Sequence, residues 1–63
     1  MNNFLPIEQS MIEYAQRFAN MSNKPWEVFR DARGAVDLAL LGTCAQEPKF
    51  RLLMLVKPLG VTE

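Results

Sequence analysis

The chain has 63 residues, 49% of them apolar, with seven basic and seven acidic side chains and no histidine. That length allows one small domain spanning residues 1–63, and a chain this short buries only about 60% of its unfolded surface. The single cysteine, Cys44, excludes an intrachain disulfide, and the lack of histidine leaves little for a zinc site, so packing and association must supply stability.

The N-terminus carries no basic region ahead of an apolar stretch and does not read as a signal peptide. The longest uninterrupted apolar run, Leu52 to Val56, is far short of the ~20 residues of a membrane span. With one free thiol and no export signal, the expected setting is reducing and cytoplasmic. Zero net charge argues against a dedicated nucleic-acid binder, which normally shows a positive excess.

Pro6, Pro25, Pro48 and Pro58 punctuate the chain, and Gly42 and Gly60 sit near the ends of apolar segments. The first segment, about Pro6 to Met21, is predicted as a helix. Ile7, Met11, Tyr14, Ala15 and Phe18 recur at helical spacing and share one face. Glu8 falls in the first turn, where the helix dipole favours a negative charge, and Glu13 and Arg17 are four apart in the favourable order.

The second segment, about Pro25 to Leu41, is read as a helix because alanine and leucine dominate and Gly42 is placed as a C-terminal stop. Trp26, Phe29, Val36 and Leu40 mark one face, and Gly34 falls in the interior, where glycine costs about 1 kcal/mol relative to alanine. The competing reading ends the helix near Arg33 and makes Ala35 to Thr43 a strand. The third segment, Lys49 to Lys57, fits either period. As a strand it alternates Phe50, Leu52, Met54 and Val56 against Arg51, Leu53, Leu55 and Lys57. As a helix it groups Leu52, Leu55, Val56 and Leu59.

The fold expectation is therefore mostly α, a small three-helix domain with a short third element. The alternative is α+β: two helices plus a C-terminal β-hairpin or strand, with residues 35–43 pairing with 49–57 across a turn containing Gln46-Glu47-Pro48. A C-terminal strand could also pair with the same strand of a second subunit.

Candidate chemistry is sparse. Cys44 lacks a histidine base, so a small, semi-buried apolar role is preferred over catalysis. Glu27 and Asp31 would share a helix face and read as solvated. Lys49, Arg51 and Lys57 give the C-terminal third a slight positive excess without a recognition helix or RNA-binding signature. No catalytic residue, cofactor site or metal site is assigned, and the chain is not read as an enzyme.

The expected function is a small protein-binding module acting as inhibitor, adaptor or regulatory subunit of a larger protein. The alternative is a small nucleic-acid-binding regulator. Trp26, Arg30 and Arg33 are the partner-binding candidates on the second segment, because tryptophan and arginine are enriched at hot spots. Leu53 and Leu55 join them as an apolar set pointing away from the core. Partners are another protein, itself as a homodimer, or both. The apolar ends, Phe4, Leu5, Leu59 and Val61, are expected to dock onto the core or a partner.

Overall fold

A computed structural model of the chain describes residues 4–59. Val61, one of the apolar end residues, lies outside that range. The elements in order are α1 (Pro6–Ser22), β1 (Trp26–Arg30), β2 (Val36–Leu40), α2 (Thr43–Gln46) and β3 (Arg51–Val56). The three strands form one antiparallel sheet in the order β2-β1-β3. The class is α+β, and the mostly α, three-helix expectation is corrected, together with the description of the domain as helical.

Helix α1 forms where the sequence predicts it. Pro6 occupies the first helical turn, where its missing N–H costs nothing. Glu8 Oε1 accepts the Leu5 N–H at 3.0 Å, satisfying a donor the helix cannot. Asn23 ends it in the left-handed conformation (φ 56°), with its N–H on the Ala19 carbonyl.

The second segment is not a helix but a β-hairpin. Ala32, Arg33 and Gly34 make a three-residue loop. Asp31 Oδ1 accepts the N–H groups of Arg33 (2.9 Å) and Ala35 (3.0 Å), and Gly34 takes φ 89°, a value glycine adopts without strain. Asp31 therefore stabilises the turn rather than a solvated helix face. The glycine read as a helix interior is the left-handed residue of that loop. The chain prefers the hairpin because β1 is the central strand and is buried on both sides. Trp26, Val28 and Arg30 face α1, while Glu27 and Phe29 face away. A strand buried on both faces loses the alternation that would announce it.

The strand alternative for residues 35–43 and 49–57 also needs correction in its pairing. β2 and β3 do not pair with each other; both flank β1. A shift in register between Val28 and Phe29 leaves Leu53 without a partner on β1, a β-bulge. The core lies between α1 and the sheet: Ala15, Ala19, Val28 and Val56 are enclosed, with Met11, Ile12, Trp26, Val36, Leu38 and Leu53 packed around them. The alanines let the helix approach the sheet closely. After β3 the chain is fastened back onto α1, where Gln16 Nε2 donates to the Lys57 carbonyl (2.8 Å) and Asn20 Oδ1 accepts the Leu59 N–H (2.7 Å).

Candidate partner-binding surface

The five residues picked out from sequence do not converge on one surface. Trp26 opens β1 on the α1 side, half-buried. Its Nε1–H donates to Ser22 Oγ (3.0 Å) and its ring lies 5.2 Å from that of Phe18. Arg30 donates from Nε (3.1 Å) and Nη2 (2.8 Å) to Glu8 Oε2, and from Nη1 to the Gly34 carbonyl. It thus ties the start of α1 to the end of β1 and to the hairpin loop. Arg33 projects from the hairpin tip, 3.9 Å from Asp31 Oδ2. The bulge separates the two leucines grouped by simple alternation: Leu53 packs against the core, and Leu55, opposite Glu27, lies on the other face of the sheet.

Among the described residues, that other face carries no long helix. The segment between β2 and β3 covers part of it. Gly42, at φ 104°, turns the chain so that its N–H (3.2 Å) and that of Cys44 (3.0 Å) both donate to the Glu27 carboxylate. Burial pushes the Glu27 pKa up, but the hydrogen bonds from Cys44, Gly42 and Thr43 outweigh it and leave the group below its ordinary value. Burial first, and then the neighbouring Glu27, pushes the Cys44 thiol up to about 11. The thiol is therefore protonated near neutrality, the opposite of what a nucleophilic cysteine requires.

Phe50 stacks on the buried Phe29 with ring centroids 4.7 Å apart and planes at 16°. Next to this pair the cover ends. Leu52, opposite Phe29, is 48% exposed and Leu55, opposite Glu27, is 38% exposed. The two are three apart in sequence and share a face only because of the bulge at Leu53. Sequence reasoning missed Leu52 for that reason, since period-two alternation puts it on the side opposite Leu55.

A second apolar surface runs along α1. The buried line of the helix is Glu8, Ala15 and Ala19, with Met11 and Ile12 beside it. Of the apolar face read from sequence, Met11 and Ala15 pack towards the core, while Ile7, Tyr14 and Phe18 stay exposed. Ile7, Tyr14, Phe18 and Met21 are 40–81% exposed. A shallow depression of about 240 Å³ lies on this outer side, lined by Ser10, Glu13, Tyr14 and Arg17.

Among the described residues, no three His, Cys, Asp or Glu side chains are grouped to hold a metal ion, and no helix is long and apolar enough to cross a membrane. Comparison with protein-family models, curated proteins and solved structures finds no match to this chain.

Proposed function

We propose that the chain is a protein-binding module, acting as inhibitor, adaptor or regulatory subunit of a larger protein, and that it docks through the sheet face opposite α1. The observation that carries this reading is the exposed pair Leu52 and Leu55, set beside the Phe29–Phe50 stack on the sheet face that α1 does not cover. A sheet face of this kind is completed by a second layer, and an apolar face of a partner, such as an amphipathic helix, supplies one. Lys49 and Lys57 bracket β3, so a partner segment with acidic flanks fits best.

The nucleic-acid reading draws less support. Arg30 is held by Glu8, Arg33 stands apart at the hairpin tip, and Lys57 lies at the far end of β3 from Arg51. Arg51 lies directly across from Arg30, but Arg30 is held by Glu8, so this pair offers one free cation rather than two.

The test is capture of partners by the full chain from its source cell, followed by titration of the purified partner. Leu52→Asp is expected to weaken binding at least about tenfold, or ~1.4 kcal/mol, with an unchanged circular dichroism spectrum. Equal binding by the variant, or recovery of nucleic acid alone, overturns the proposal.

A further inference from the structure

From the outer side of α1 we infer that the chain forms a twofold-symmetric homodimer, with two antiparallel copies of α1 crossing at Tyr14. The inference does not rest on the sheet-face proposal, because it uses the opposite side of the molecule.

Three observations converge on a second copy as the occupant. First, the exposed stripe is self-matching. Ile7 and Met21 lie seven residues on either side of Tyr14, so an antiparallel copy turned about Tyr14 brings Ile7 towards the partner's Met21 end and Tyr14 beside its own equivalent. This is the isologous geometry of a twofold contact, in which each interaction occurs twice.

Second, the depression beside Tyr14 is the size of a side chain rather than of a small-molecule site. Its volume of about 240 Å³ falls below the roughly 300 Å³ at which such sites begin. Its walls offer a carboxylate from Glu13 and a guanidinium from Arg17, an acceptor and a donor for a phenol hydroxyl. A tyrosine is the side chain with that combination of apolar ring and polar tip, and Tyr14 itself stands exposed on the rim.

Third, the charges are complementary under the same operation. Among the described residues, Glu13 and Arg17 make no ion pair and Tyr14 no hydrogen bond within the chain. Turned about Tyr14, each Glu13 comes near the Arg17 of the other copy, and two opposite-charge pairs flank the paired tyrosines. A parallel arrangement would instead set Arg17 against Arg17.

Sedimentation velocity on the full chain between about 1 and 100 μM, a range that spans ordinary dimer affinities, tests the inference. The wild type is expected to dimerise. Tyr14→Glu, at a position 54% exposed, should raise the dimer Kd at least about tenfold with unchanged helix content. Glu13→Arg alone should also weaken the dimer by placing two cations together, and Glu13→Arg combined with Arg17→Glu should recover it. A wild type that stays monomeric throughout overturns the inference. So does a dimer indifferent to Tyr14→Glu, or a double reversal no tighter than the single one.

Discussion

The two faces of the central strand β1 are buried by different means. On one face Val28 is enclosed by a helix that arrives from outside the sheet, through the alanines Ala15 and Ala19. On the other, Phe29 and Glu27 are enclosed by the local connection between β2 and β3: Phe50 stacks on the ring, and the Gly42 and Cys44 N–H groups hold the carboxylate. The first face is closed over Val28 and Val56, with Leu40 and Met54 left 44% and 40% exposed at its margins. The second is sealed only where that connection reaches, and Leu52 and Leu55 begin where it ends. The helix encloses the middle of its face, whereas the short connection covers one spot and leaves Leu52 and Leu55 open beside it.

This contrast can be broken from either side. The largest effect is expected from Val28→Ala, which opens a cavity under α1. The loss should be about 2–3 kcal/mol in urea denaturation. That is a large part of the roughly 3–9 kcal/mol available to a chain of this length. If the loss stays within ~0.5 kcal/mol, the helix-covered face is not the main core.

Glu27→Gln comes next. An amide can accept from one of the two N–H groups but turns a donor towards the other, so a loss of about 2 kcal/mol is expected at neutral pH. The pH dependence sharpens the point. Folding lowers the pKa of Glu27, and that of Glu8 through the Leu5 N–H and Arg30, so both carboxylates stabilise the fold above their unfolded value of about 4.3. That stability is lost as pH falls through the folded-state values. Wild type and Glu27→Gln should converge in acid, and a gap of constant size from neutral pH into acid contradicts the role given to the carboxylate.

The smallest specific term is the ring stack that Phe50→Ala removes. The stack beyond area burial contributes on the order of 1 kcal/mol, and Phe29 should become accessible to a hydrophobic dye while α1 stays intact. Unchanged dye binding would mean that Phe50 is not what covers this face.

Parts of this architecture could be read before folding. The start of α1 at Pro6, with Glu8 in its first turn, follows from local chemistry, because capping and propensity act within a few residues. Asp31 and Gly34, the two residues that set the hairpin loop, are also local, but alanine and leucine on either side imitate a helix and obscure them. The sheet face opposite α1 was not legible in the same way. Leu52 and Leu55 share the open face and Leu53 does not, because one bulged residue reverses the direction of every side chain beyond it.

Local spacing alone therefore determined one helix and the surplus of apolar side chains. Tertiary structure decided which side of that helix is core, because Ala15 and Ala19 permit a close approach to the sheet that Tyr14 and Phe18 do not. It also decided that Arg30 serves Glu8, 22 residues away in the chain, and that β1 accepts a strand on each edge. These choices depend on contacts between distant segments, and no periodicity within one segment records them.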